Sequence, residues 1–211
     1  MIKHPDSILF DLDGTLWDAV EAVTGIWNKG IENDPAVKAP LTREEVRSIM
    51  GLNTKEIGAK LFPYLSEAKQ WELMLQCGQA ERQLLSKTGG ILYPHLKETL
   101  ENLSGQCPLF VVSNCDEGYI EAFLTYHKLG KYFTDHLCYG DTGLDKPHNI
   151  RRIVEAYHLK QPVYVGDTEK DQASAQSAEV DFIYAAYGYG SIENAPHAIN
   201  DLRELNDLFL P

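Results

Sequence analysis

Asp11 and Asp13 stand two residues apart in Asp11-Leu12-Asp13-Gly14-Thr15, directly after the apolar run Ile8-Leu9-Phe10. Side chains alternate faces along an extended chain, so both carboxylates leave on one face and Leu12 on the other. Two such carboxylates repel, and burying either one unpaired is costly. A divalent cation is the simplest partner that keeps both charged. Asp-Gly is also an ordinary turn signal, so a strand running into a tight turn is the plain alternative.

Three further polar features sit at comparable points. Val111-Val112-Ser113-Asn114 ends an apolar run with a hydroxyl and an amide. Lys146-Pro147 opens a helical stretch, with proline suited to the first helical position. Val163-Tyr164-Val165-Gly166-Asp167 ends another apolar run in Gly-Asp, and Asp171 follows four residues on. Each has a bland reading when taken alone: Ser113 and Asn114 as helix caps, Lys146 as a solvated loop residue, Asp171 as a favourable charge at a helix start. Cys115 follows the same polar pair, but no His or Asn/Asp is indicated beside it to activate a thiolate.

These features can meet only if the runs that carry them are neighbouring strands. The pattern predicts strands over 7–11, 108–112, 136–140, 162–166 and 181–185, and helices over 95–104, 116–127, 147–158, 170–178 and 200–209. The first, second and fourth strands are near-continuous hydrophobic runs, as strands covered on both faces are. Such alternation predicts the α/β class, a Rossmann-like parallel sheet with helices on both faces. Ligands of open parallel sheets bind outside the carboxyl ends of the strands, where all four polar features would converge.

Residues 17–87 break the alternation. They contain no strand-like run, but Thr42-Arg43-Glu44-Glu45 carries a capping-box signature and Ser66 is placed to cap a long helix reaching about Ser86. Trp71, Met74 and Leu75 lie at helical spacing and read as a core stripe, and Gly89-Gly90 marks the return to the sheet. An insertion of about 70 residues is too long for an ordinary loop. The expected organisation is therefore an α/β core over 1–16 and 88–211 with an all-helical insertion over 17–87.

The totals narrow the function. With 211 residues, 44% hydrophobic and 24% charged, the chain has an ordinary globular composition and enough length for a sizeable core. Its net charge of −12 argues against a nucleic-acid partner. It also means that a dianionic substrate needs a local positive site. Four cysteines without a CxxC pair read as reduced thiols in a cytoplasmic protein. No secretory h-region and no run of 18 apolar residues is present, so neither a signal peptide nor a membrane partner is expected. Monomer and homodimer both stay open.

The ordered set Asp11-x-Asp13-Gly14-Thr15, Ser113-Asn114, Lys146-Pro147 and Gly166-Asp167-x-x-x-Asp171 resembles the haloacid dehalogenase-like phosphohydrolases, over nearly the whole chain. More narrowly it is similar to phosphoglycolate phosphatase-like members with a helical cap inserted after the first motif. The resemblance implies that Asp11 is the nucleophile and Asp13 the general acid and base. It places Mg²⁺ on the Asp11 carboxylate, the Asp13 backbone carbonyl and Asp167, all hard oxygen donors. Ser113 and Asn114 would bind the phosphoryl oxygens and Lys146 would offset their charge. Asp171 would orient a metal-bound water or Lys146.

The resemblance also implies a small phosphate ester as substrate, with phosphoglycolate first and a nucleoside or sugar phosphate second. A specificity segment is expected near Gly51-Leu52-Asn53-Thr54-Lys55, with Arg43, Arg47 and Lys55 as candidates to meet an anionic group. Tyr187-Gly188-Tyr189-Gly190 is similar to a glycine-containing loop of the same subgroup, or is a turn. The alternatives are a phosphomutase of the β-phosphoglucomutase type and a non-catalytic phosphate-binding relative. Mutases usually carry Glu-Asp where this chain has Gly166-Asp167, which leans towards hydrolysis.

Overall fold

The computed structural model describes residue 2 and residues 4–210; residues 1, 3 and 211, at the outer ends of the two expected core segments, lie outside the described residues. The chain opens with β1 (Ser7–Phe10) and β2 (Trp17–Asp18), then four helices, α1 (Val20–Ile31), α2 (Arg43–Arg47), α3 (Thr54–Leu61) and α4 (Glu67–Thr88). It continues with β3 (Ile91–Leu92), α5 (Leu96–Ser104), β4 (Leu109–Ser113), α6 (Tyr119–His127), β5 (Asp135–Cys138) and α7 (Tyr139–Thr142). The last elements are α8 (Lys146–Ala156), β6 (Pro162–Gly166), α9 (Glu169–Ser177), β7 (Asp181–Ala185) and β8 (Ala198–Ile199).

Six strands form one sheet in the order β5-β4-β1-β6-β7-β8, and every pairing is parallel. Period-two alternation sends Ile8, Phe10, Val111, Val163 and Val165 into one core and Leu9, Phe110, Val112 and Tyr164 into the other. Both faces are thus covered, which is why these strands read as unbroken apolar runs. The chain leaves β1 towards β4 on one side and later returns to β6 on the other. Their carboxyl ends therefore lie side by side at the switch point of the sheet.

The helices between β2 and β3 follow local signals. Thr42 makes the expected capping box with Glu45, and Ser66 accepts the Lys69 amide at the start of α4. Helix α1 packs along α4. The buried face of α4 is Leu73, Met74, Cys77, Gly78, Glu81 and Leu85. Of the expected Trp71-Met74-Leu75 stripe only Met74 is in the core; Trp71 and Leu75 are about half exposed, at 50% and 48%.

Other departures have local causes. The chain crosses between sheet and helices through a two-stranded antiparallel ribbon, Trp17 opposite Leu92 and Asp18 opposite Ile91, so the interval 17–87 does begin with a strand. Two residues per strand are too few for periodicity to reveal. Helix α6 begins at Tyr119 rather than 116 because Gly118 takes a left-handed conformation, φ 87°, ahead of it. The final segment Leu202–Phe209 is a 3-10 rather than an α-helix. Its apolar residues Leu202, Leu205 and Leu208 recur every three positions, the repeat that eclipses side chains in that geometry. Among the described residues no helix is long and apolar enough to cross a membrane.

Candidate active site

Strand β1 ends at Phe10, so Asp11 is the first residue beyond the sheet, where its amide donates to Val165 O of β6. Lys146, at the start of α8, reaches the same point. Its Nζ donates to Asp11 Oδ1 at 2.8 Å and to Asp171 Oδ1 at 2.5 Å, with all three side chains buried. Burial alone would lower Lys146, but Asp11 and Asp171 more than reverse this and hold it well above the usual lysine range. Asp171 does two jobs. Its Oδ2 accepts from the Thr168 amide and hydroxyl in a capping box of α9, while Oδ1 holds Lys146.

Asp167 follows β6 and is fully buried. Its Oδ2 accepts the Tyr189 amide at 2.6 Å, and its Oδ1 has no hydrogen-bond partner among the described residues. An orphaned carboxylate oxygen is the signature of a missing positive partner. Ligand atoms of Asp11, Asp167 and Asp171 lie within 4.8 Å of one another. This carboxylate set differs from the expected one in containing Asp171, whose oxygens are already taken by Lys146 and Thr168. The donor set suits a hard divalent cation, with Asp11 and Asp167 the groups still to be satisfied. Burial, then the charges of Asp171 and Asp11, push Asp167 up to about 8; burial and Asp171 push Asp11 up to about 6.

The turn that aims these groups is built around Gly14. Its φ is +84°, and a Cβ there would stand 2.2 Å from Asp167 Oδ2. Gly188 closes the site from the other side; a Cβ there would meet Asp167 Cβ at 2.3 Å. The Tyr187–Gly190 segment is therefore more than a turn, since it packs on Asp167 and supplies its amide donor.

Asp13 points away from the cluster. Trp17 Nε1 and Tyr119 OH both donate to its Oδ1 at 3.0 Å. Burial, then Asp11, raise it to about 7, the range in which a carboxyl both gives and takes protons near neutrality. Asp13, Ser113 and Asn114 share a cleft with helical-insertion residues that include Trp27, Ile49, Thr54, Met74 and Glu81. The cleft is narrow, with about 50 Å³ open to the centres of water-sized molecules. Ser113 is the last residue of β4, and Asn114 Nδ2 donates to Gly51 O at 3.0 Å; neither caps a helix.

The insertion cations lie elsewhere. Arg47 sits over the Tyr189 ring, 5.5 Å from its centroid, and Arg43 pairs with Asp18 and Glu21 at the surface. Lys55 is exposed and lines a separate hollow with Gly58 and Trp71. Cys115 borders the cleft, but burial and Cys138 push its thiol well up, which removes the thiolate a nucleophile needs. Sequence reasoning missed Trp17, Tyr119 and Glu81, and marked Tyr189 only as part of a glycine-containing loop. The first three carry no local signal, whereas the glycines on either side of Tyr189 are one.

The family model described as haloacid dehalogenase-like hydrolase matches residues 8–185. A phosphoglycolate phosphatase of Rhodobacter capsulatus is 27% identical, over 91% of this chain and 90% of the relative. That of Vibrio parahaemolyticus is 28% identical, over 94% and 93%. A crystal structure described as a predicted phosphoglycolate phosphatase from Haemophilus somnus 129PT superposes with a TM-score of 0.85 at 22% identity, covering 99% of each chain. That last likeness shows the fold.

Proposed function

The chain belongs to the haloacid dehalogenase-like hydrolase family, and on that premise we propose that it is a Mg²⁺-dependent phosphomonoesterase of the cytoplasm, acting through an aspartyl-phosphate. The observation that carries the proposal is the buried Asp11–Lys146 pair beside an Asp167 oxygen that has no donor among the described residues.

Asp11 attacks phosphorus, and the bond to the leaving alcohol breaks as the new one forms. Asp13, held at about 7 and oriented by Trp17 and Tyr119, protonates the departing oxygen. It then takes a proton from the water that hydrolyses the aspartyl-phosphate. Ser113 and Asn114 stand at the cleft to bind the phosphoryl oxygens, and Lys146 opposes their charge. Asp171 positions Lys146. Attack of a carboxylate on a phosphate dianion is opposed by about 4 kcal/mol per charge pair at 4 Å and an effective dielectric of 20. Mg²⁺, held by Asp11 and Asp167 with the Asp13 carbonyl, would supply the remaining positive charge.

The helical insertion 17–87 acts as a cap that closes over the leaving group and excludes water. The curated relatives put phosphoglycolate first among candidate substrates, with a nucleoside or sugar phosphate second. A mutase is disfavoured at Gly166, where even a Cβ would stand 2.5 Å from Asp171 Cβ, so a glutamate there would displace the Lys146 anchor. A purely binding role leaves the buried nucleophile without a use. Four free thiols suit a reducing compartment.

The test is phosphate release from p-nitrophenyl phosphate with Mg²⁺ and with EDTA, in native protein and Asp11→Asn. Activity in native protein with Mg²⁺ alone is expected. Equal rates in the two proteins would overturn the proposal.

A further inference from the structure

Tyr189 meets the buried carboxylate cluster with its backbone and the helical insertion with its side chain. Its amide donates to Asp167 Oδ2 at 2.6 Å, which leaves Oδ1 as the oxygen open to a cation. Its hydroxyl donates to Asp18 Oδ1 at 2.8 Å, across 171 residues of sequence. That same Asp18 oxygen accepts the amide of Val20, the first residue of α1, and Arg43 of α2 stands 3.7 Å from the other oxygen. Arg47, the last residue of α2, lies over the Tyr189 ring, 5.5 Å from its centroid. One side chain thus senses where both α1 and α2 sit.

The segment around Tyr189 has little slack in which to lose a displacement. Tyr187 OH donates to Thr15 O at 2.9 Å, and Tyr184 OH donates to Gly190 O at 2.9 Å. The backbone at Gly190 lies so close that a Cβ there would stand 2.3 Å from Asp167 O. Packed elements of this kind pass a shift on instead of absorbing it. The amide that holds Asp167 could come from any residue except proline. What tyrosine adds is a hydroxyl and a ring, and both are spent on the insertion.

Resting on the phosphatase reading above, we infer that Tyr189 is a positioning residue that couples the seating of the helical cap to the aim of Asp167. With α1 and α2 docked, its side chain fixes the 187–190 segment, and its amide then turns Asp167 Oδ1 towards the cation. Such a coupling is reciprocal: a cation that binds the aimed carboxylate more tightly must favour the docked cap by the same factor. Mg²⁺ therefore tightens the cap before any substrate arrives.

The test uses the full chain without substrate. Mg²⁺ is titrated calorimetrically into native protein, Tyr189→Phe, Asp18→Ala and the double variant, and amide exchange of α1 and α2 is followed with and without Mg²⁺. Tyr189→Phe, which removes one oxygen and keeps the ring and the amide, should weaken Mg²⁺ binding at least about fivefold, the lower end of typical couplings. The double variant should bind no more weakly than the weaker single one, because both substitutions remove the same hydrogen bond. Exchange in α1 and α2 should slow on adding Mg²⁺ to native protein but not to Tyr189→Phe. Native exchange indifferent to bound Mg²⁺, which needs no variant to fold, overturns the inference while leaving the phosphatase reading intact. So does Mg²⁺ affinity in Tyr189→Phe within about twofold of native, or a double variant whose loss is the product of the two single losses, the mark of independent effects. Native protein that neither binds Mg²⁺ nor releases phosphate from p-nitrophenyl phosphate overturns the phosphatase reading and this inference with it.

Discussion

Lys146 Nζ lies 2.8 Å from Asp11 Oδ1 although 135 residues separate them, and both side chains are 2% exposed. The pair joins the amino end of α8 to the end of the central strand. A buried ion pair is weak as a source of net stability, but removing one partner strands the other. Lys146→Met should cost about 3–5 kcal/mol at pH 8. The cost should be smaller at pH 5, where Asp11, already raised to about 6 with its partner present, takes up a proton instead. Urea unfolding at the two pH values checks this. Equal losses at both would mean that charge is not what the lysine supplies.

Asp167 predicts a metal linkage. If its orphaned Oδ1 is a cation ligand, Mg²⁺ at a hundred times its dissociation constant should stabilise the native protein by about 2.7 kcal/mol. Asp167→Asn should lose most of that gain. It should be more stable than native in EDTA at pH 9, where the carboxyl, raised to about 8, carries a buried charge that the amide lacks. Calorimetric unfolding with Mg²⁺ and with EDTA measures both. A Mg²⁺ shift undiminished in the variant would assign the ion to other groups.

Gly14→Ala tests the turn. A residue other than glycine at φ +84° costs on the order of 1–2 kcal/mol. The added methyl must also displace the Asp167 carboxylate 2.2 Å away. Phosphatase activity should fall at least about 100-fold, as expected when a reacting geometry is shifted by an ångström. Stability should fall by far less in proportion. Activity within threefold of native would show that Asp167 need not sit where it does.

What the sequence disclosed divides by range. Asp11, Asp13, Ser113, Lys146 and Asp167 announce themselves because each lies at or within three residues of the end of an element whose period is visible locally, and parallel pairing then brings the ends together. The 3-10 tail escaped because Leu202, Leu205 and Leu208 also fit an α-helical stripe over so short a stretch. Trp71 was misplaced because periodicity shows which residues share a face but not how far along the helix the neighbour extends. Tyr119 and Trp17, which donate to Asp13, and Glu81, which lines the same cleft, carry no local mark. Their roles come from the packing of α4 on α6 and from the reach of Trp17 and Tyr119 to Asp13, and an aromatic or a glutamate on a helix is ordinary until that packing is known.

Glu81 offers a test of that packing through pH. Its folded value is raised to about 8, chiefly by burial, against 4.5 for a free glutamate. Below pH 4.5 the carboxyl is protonated in both states and contributes its full share to stability. Between 4.5 and 8 the unfolded chain sheds the proton while the folded one keeps it, so folding becomes less favourable as pH rises, by at most about 1.4 kcal/mol per unit for one proton. Asp11, Asp13 and Asp167 shift in the same direction, so native protein alone cannot isolate the effect. The difference between native and Glu81→Gln can. The variant's relative stability should climb from pH 5 to pH 8 and level off above it, as read from urea midpoints at four pH values. A difference that stays flat across that range would place Glu81 in contact with water, and burial by α4 and its neighbours would then not be what raises it.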